Sequence, residues 1–183
     1  MTDTPVLPPP SSWVVRCAAL IKPHGAVLDL ACGSGRHADF LARAGYRVTA
    51  IDRDISRLVP GAGIDIVEAD LEDGTPWPLP GRTFDGIVVT NYLHRPLFPI
   101  LIDSLNPGGA LIYETFAAGN ENLGRPRNPD FLLRDGELFE AVAGKLSVVA
   151  YEAGRIDDPA PAIVQRIAAV RPGAATPAIP HPA

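Results

Sequence analysis

The stretch Val27-Leu28-Asp29-Leu30-Ala31-Cys32-Gly33-Ser34-Gly35-Arg36-His37 decides the fold. Val27 to Leu30 is a short apolar run interrupted by one aspartate, which reads as a buried strand. Ala31 to Gly35 is a glycine turn, because Gly33 and Gly35 let the backbone bend tightly and let a ligand approach it closely. A helix follows, with Ala38, Leu41 and Ala44 near one face and Gly45 as its stop. Strand, turn and helix in that order open a parallel α/β arrangement.

The same alternation continues outward. Arg47 to Ile51 reads as a second strand with Asp52 at its C-terminal end, and a short helix is expected near Ser56. Ile64 to Ala69 is a third strand ending at Asp70, followed by the turn-rich loop Pro76-Trp77-Pro78-Leu79-Pro80. Phe84 to Thr90 is a fourth strand, apolar enough for a parallel sheet covered on both faces. Pro96 to Leu105 is mostly helical; the turn Asn106-Pro107-Gly108-Gly109 then leads into a fifth strand, Ala110 to Thr115. Residues 116–134 form a long polar loop, and loops of that length are usually functional or disordered. Asp135 is placed to cap a helix to about Ala143. The last strands, Leu146 to Glu152 and Ile163 to Arg171, leave no room for a helix between them, so they close the sheet as an antiparallel pair. Upstream, Ser11 or Ser12 caps a helix to about Ile21.

The fold class is therefore α/β, a doubly wound, mostly parallel seven-stranded sheet with an antiparallel last hairpin. At 183 residues the chain has room for one domain, read as residues 12–171. A flexible leader, 1–11, and a disordered proline-rich tail, 172–183, are expected to flank it. The net charge of −5 disfavours sequence-independent nucleic-acid binding, although a local basic patch stays open. Two cysteines make no disulfide framework, and with no signal peptide or membrane span they read as reduced thiols of a cytoplasmic protein. No compact His/Cys set suggests a metal. The chain is expected to act as a monomer or dimer.

Ligands of open α/β sheets bind beyond the C-terminal strand ends, at the switch point. Four landmarks converge there: the glycine turn, Asp52, Asp70, and Asn91-Tyr92 with His94. Asp52 is placed to accept from a ribose diol; Asp70 can accept from an exocyclic amine, and Leu71 can offer its N–H to a ring nitrogen. Asp29 adds negative charge beneath the loop, which suits a cationic ligand and repels a phosphate. Gly33-Ser34-Gly35-Arg36-His37-Ala38 also satisfies a Gly-x-Gly-x-x-Ala dinucleotide pattern, so a nicotinamide cofactor is one alternative.

The stretch Val27–His37, with the spacing on to Asp52, Asp70, Phe84-Asp85-Gly86-Ile87-Val88-Val89 and Pro107-Gly108-Gly109, resembles the class I S-adenosylmethionine-dependent methyltransferases. The resemblance covers residues 12–170; the Cys-Gly-Ser-Gly-Arg-His turn and small size are more loosely similar to the tellurite-resistance type. It implies a Rossmann-like sheet of order 3-2-1-4-5-7-6 and S-adenosylmethionine as cofactor. It further implies Gly33 and Gly35 near the methionine portion, Asp52 on the ribose, Asp70 and Leu71 at adenine, and Asn91 near the amino group. Asp29, Ala31, Cys32 and Arg53 complete the expected cofactor set.

Other positions carry two readings. Trp13 and Arg16 share a helix face, so Arg16 either stays solvated or pairs with the cofactor carboxylate, a role for which Arg36 competes. Cys32 reads as a packing residue rather than a nucleophile. Trp77 packs over adenine or anchors its loop. Tyr92, His94 and Glu114 are the candidate acceptor-site groups, with His94 as a general base. Arg125, Arg127 and Arg134 either bind an anion or pair with Glu121, Asp130, Asp135 and Glu137. The expected activity is in-line methyl transfer to an unidentified acceptor, with a small molecule leading and RNA or protein behind it. A non-catalytic S-adenosylmethionine-binding module remains the alternative outside the enzymes.

Overall fold

The computed structural model describes residues 7–58, 63–173 and 177–180. Seven strands form one sheet in the order β3-β2-β1-β4-β5-β7-β6. They are β1 (Ala26–Leu30), β2 (Arg47–Asp52), β3 (Ile64–Glu68), β4 (Phe84–Thr90), β5 (Leu105–Phe116), β6 (Ser147–Ile156) and β7 (Ala162–Val170). The β3-β2-β1-β4-β5 pairings are parallel, and β7 runs antiparallel to both β5 and β6. The strand order reverses between β1 and β4, so the switch point lies between their C-terminal ends.

Helices cover both faces: α1 (Ser12–Cys17), α2 (Arg36–Arg43), α3 (Leu97–Asp103) and α4 (Glu137–Val142). On one face Trp13, Val14, Cys17, Ala38 and Leu41 pack on Val27, Val48, Ala50, Val88 and Ile112. On the other, Leu97, Leu101, Leu138 and Val142 pack on Leu28, Ile87, Val89, Leu111 and Ile167. Alternate residues of each central strand feed opposite cores, which is why Ile87, Val88 and Val89 of β4 are apolar in succession. None of the described helices is long and apolar enough to cross a membrane.

Several local expectations change. Ser11 caps α1, its Oγ accepting the Trp13 N–H at 3.2 Å, but the helix tightens to a 3-10 turn at Ala18–Leu20. No helix forms over residues 53–58; instead Asp54 Oδ1 accepts the Ser56 N–H and hydroxyl in an Asx turn. Asn106-Pro107-Gly108-Gly109 is not a free turn before β5 but an irregular part of it, where the register with β4 shifts between Phe84 and Gly86. Asp135 does not cap α4; Gly136, at φ 70°, precedes it with no side-chain cap.

The flanking segments are partly tied down. In the leader, the Pro9 carbonyl accepts from Arg36 at 3.3 Å, and the Ser11 N–H donates to His37 Nε2 at 3.1 Å. In the tail, the Pro180 carbonyl accepts from Arg16 Nε at 3.2 Å, so residues 177–180 lie against α1 rather than free of the domain. Residues 1–6 of the leader and 174–176 and 181–183 of the tail lie outside the described residues.

Gly86 in β4 shows how closely the chain just after the 3-10 turn approaches the sheet. A Cβ there would lie 2.6 Å from Ile21 Cδ1 and 2.8 Å from its Cγ1. Gly86→Ala should therefore lower the unfolding free energy by about 1–3 kcal/mol, the usual cost of overpacking. Because Ile21→Ala removes the opposing atoms, the double variant should be more stable than the sum of the single losses. Urea denaturation of the four proteins measures this coupling.

Candidate active site

The glycine turn is built by its backbone. Ala31 leaves β1 at φ 54°, and Gly33 and Gly35 follow at φ 56° and 82°. A Cβ on Gly33 would meet nothing within 4 Å and one on Gly35 would meet Leu58 Cγ at 3.4 Å, so left-handed dihedrals rather than crowding select glycine here. The turn is held by the Cys32 N–H donating to the Ile51 carbonyl at 3.0 Å and the Gly35 N–H to the Cys32 carbonyl at 2.9 Å. Asn91, just past β4, is also left-handed, at φ 55°. Thus both strands at the switch point end in a non-glycine residue held at positive φ, a form of strain that concentrates at functional sites.

Asp52 bridges these elements. Its Oδ2 accepts the Gly33 N–H at 2.8 Å and its Oδ1 the Asp54 N–H at 3.0 Å. Each oxygen keeps a further lone pair. Beside it opens a cavity of about 260 Å³ lined by Ala31, Asp52, Arg53, Asp70, Leu71 and Tyr92, together with Ala69, Glu72 and Phe131. Five expected cofactor residues and one acceptor candidate thus share one cavity. Sequence reasoning did not assign Ala69, Glu72 or Phe131 to it. Glu72 is two residues past Asp70 and was within reach of the spacing argument; Phe131 arrives from a distant loop and left no local signal.

Other expectations place differently. Asp29 lies fully buried beneath the turn, with no hydrogen-bond partner for Oδ2. Burial pushes its carboxyl up to about 7, while the Ala38 N–H and the Arg36 charge pull the other way. The negative charge expected there is therefore only partly developed at neutral pH. Cys32 is buried, and burial raises its thiol further above the ordinary value, consistent with a packing role. Asn91 is exposed, its N–H donating to the Glu114 carbonyl at 2.9 Å.

Arg16 does not reach the cavity. It pairs with Glu152 at 2.7 Å and lies 5.3 Å from the Trp13 ring centroid. Arg36, at the start of α2, stands nearer the glycine turn. Nor is Glu114 a free base: one oxygen accepts from Ser11 Oγ at 3.0 Å and the other pairs with Arg166. His94 lines a second cavity of about 360 Å³, which shares the Asp70–Glu72 segment with the first, together with Trp77, Leu97 and Ile100. Trp77 sits in that second wall and packs on the core, its Nε1 buried without a partner. Of the candidate acceptor groups only Tyr92 faces the first cavity. Its hydroxyl is buried, and burial, reinforced by Glu72, raises its pKa, so at neutral pH it keeps its proton and can act only as a hydrogen-bond donor or acceptor, not as a general base.

His37, which sequence reading left unassigned, is buried and pushed down to about 3 by burial and then by Arg36, so it is neutral. Since its Nε2 accepts from Ser11, its Nδ1 carries the proton and faces Thr90 Oγ1 at 3.4 Å. The loop cations divide: Arg134 pairs with Glu137 at 3.3 Å, as the structural reading expects, whereas Arg125 and Arg127 are exposed. Among the described residues no group of three or more His, Cys, Asp or Glu is arranged to hold a metal ion.

A family model described as a methyltransferase domain matches residues 8–142. The chain belongs to that family. Membership in the methyltransferase-domain family sets aside the nicotinamide reading of the glycine pattern. A protein-L-isoaspartate O-methyltransferase of Chlorobaculum tepidum is 37% identical over 125 residues, 64% of this chain and 54% of that protein. The chain spans about half the length of the curated relatives it matches. In fold it is similar to TehB from Haemophilus influenzae, with a TM-score of 0.68 and 22% identity over 86% of this chain and 61% of that one. The glycopeptide N-methyltransferase MtfA in complex with S-adenosyl-L-homocysteine gives 0.62 and 19% identity, over 88% and 89%.

The Asp29 carboxyl yields a stability test. Its pKa rises from 3.8 to about 7 on folding, so the folded state holds the proton more tightly than the unfolded chain. The contribution of Asp29 to stability is then greatest at acid pH and is lost as the pH rises from 3.8 towards about 7, levelling above it. Asp29→Asn, of equal size and always neutral, should escape this loss. The stability gap in favour of the variant should widen over that window in thermal melts taken across pH. A gap independent of pH would show that Asp29 is ionised throughout.

Proposed function

We propose that this protein binds S-adenosylmethionine in the cavity beside Asp52 and transfers its methyl group to a small-molecule acceptor. The observation that carries the reading is the Asp52 carboxylate, tethered to the glycine turn at 2.8 Å and opening on the same cavity as Asp70 and Leu71. The residues fit the cofactor. Asp52 would accept from the ribose hydroxyls with its free lone pairs, Asp70 from the adenine amine, and the Leu71 N–H would meet a ring nitrogen. Gly33 and Gly35 leave the backbone open for the methionine portion. The unpartnered Asp29 Oδ2 supplies a buried acceptor beneath that end. When bound, the cofactor supplies an electrophilic methyl group on a sulfonium. The chain's part is to orient it and the acceptor in line, which alone lowers the barrier substantially.

The cavity also bears on the acceptor. Asp52, Asp70 and Glu72 line it with Arg53 as the one cation among the described residues. That field favours a neutral or cationic acceptor over a carboxylate. An isoaspartyl protein, the acceptor class in the curated relatives' name, is the second reading and rests on the 37% identity alone. Methyl transfer from labelled cofactor to a panel of small amines, alcohols and thiols, run beside an isoaspartyl peptide, separates the two. A non-catalytic module would bind cofactor and label neither.

Asp52→Ala removes two charge-assisted hydrogen bonds, each worth about 1.5–3 kcal/mol. The dissociation constant for S-adenosylhomocysteine should rise at least about tenfold by titration calorimetry. An unchanged constant would remove Asp52, and with it this cavity, from cofactor binding.

A further inference from the structure

We infer that Arg95 is a positioning residue that holds the Phe131 ring against the ligand cavity, making the loop after β5 a fixed aromatic wall of the site. The inference rests on the cofactor reading above and adds residues to it that no sequence motif marks.

Phe131 lines the cavity, yet it is 44% exposed and belongs to neither hydrophobic core. An aromatic ring in that setting has a free face for a ligand and little packing to hold it there. What holds it is backbone. Arg95 donates through one terminal nitrogen to the Asp130 carbonyl at 2.7 Å and through the other to the Leu132 carbonyl at 3.0 Å. Those are the two residues flanking Phe131. The same guanidinium grips Glu137, Nε to Oε1 at 2.6 Å and the second terminal nitrogen to Oε2 at 3.0 Å. Glu137 is buried in the first turn of α4, where it also accepts the Arg134 N–H at 2.8 Å. Burial works against its charge, but Arg95 and Arg134 outweigh it and hold the carboxyl down to about 2. The clamp is thus charged across the whole neutral range.

Geometry makes the role specific. Arg95 lies three residues after Tyr92, so one short turn past β4 supplies a side chain to the cavity and the anchor of the opposite wall. That turn is itself tied to β5, because the Tyr113 hydroxyl donates to the Tyr92 carbonyl at 2.8 Å. The neck of the loop is closed independently. Ala117 bridges Leu133, the Asn120 side chain accepts the Ile163 N–H at 3.1 Å, and Leu132 and Leu133 are buried. Loss of Arg95 therefore frees the tip around Phe131 without opening the loop. A lysine cannot replace it, since an ammonium lacks the planar fork that reaches a carboxylate and two carbonyls together.

The test is titration calorimetry with S-adenosylhomocysteine on the full chain, well below the melting temperature of each variant. Phe131→Ala should weaken binding about threefold to tenfold, the range of one aromatic contact. Arg95→Ala should reproduce that loss, and Arg95→Lys should not rescue it. The double variant Arg95→Ala/Phe131→Ala should bind no more weakly than Phe131→Ala, because without the ring there is nothing left to position. A merely structural arginine would lower the melting temperature and leave the affinities alone. Wild-type affinity in Arg95→Ala, or losses that multiply in the double variant, would overturn the inference. Should Arg95→Ala fail to fold, Arg95→Lys, which keeps charge and stem, carries the same comparison. Failure of the wild type to bind S-adenosylhomocysteine would overturn the cofactor reading and this inference with it; binding that is equal in all variants overturns this inference alone.

Discussion

The bond from the Gly33 N–H to Asp52 Oδ2, at 2.8 Å, is the joint on which the site depends. It ties the turn after β1 to the end of β2 and sets how far the carboxylate stands from the glycine backbone. It can form only because β1 and β2 run parallel in a register that pairs Leu30 with Ile51, bringing both strand ends level. The left-handed dihedrals of Ala31, Gly33 and Gly35 then aim the amide at the carboxylate instead of into the helix that follows. A carboxylate that accepts two backbone amides is pre-organised, so a ligand that uses its remaining lone pairs incurs little ordering cost.

A second set of charges braces β5, β7 and β6. Glu114, Arg166 and Glu152 are cross-strand partners on β5, β7 and β6. Arg166 pairs with both glutamates, Glu152 pairs with Arg16 of α1, and Glu114 accepts from Ser11. The chain is continuous from the leader through the sheet to the tail carbonyl of Pro180. With Arg166 and Glu114 both largely buried, deleting either partner would leave the other buried and unpaired, a costly loss. The set also accounts for why neither Arg16 nor Glu114 is free to meet a ligand.

The loop over residues 117–133 closes on itself at its neck. Its glycines at 119 and 124 suggest hinges, whereas the Ala117–Leu133 bridge, the buried Asn120 and the Arg95 clamp hold it closed on itself. The hydrophobic residues that anchor it are Leu132 and Leu133; Leu123 and Phe131 remain exposed.

Residues close in sequence were readable from the chain alone. The run Val27–Leu30, the glycines after it and the carboxylates that end β2 and β3 follow from strand periodicity, dihedral freedom and the rule that ligands collect at parallel strand ends. The same logic yields seven strands and the closing antiparallel pair, since no helix fits between β6 and β7. What sequence could not supply depends on register and burial. Glu114 reads as a crevice base until β7 sets Arg166 beside it, and Arg16 as a cofactor partner until β6 presents Glu152. His94 and Tyr92 lie two residues apart, yet they line different cavities, which share Asp70, Leu71 and Glu72 between them. Phe131 lines the cavity from the loop after β5, where Arg95, 36 positions earlier, donates to the carbonyls on either side of it. Local pattern determines which strand ends carry the chemistry, whereas the pairing of distant charges decides which side chains remain free to use it.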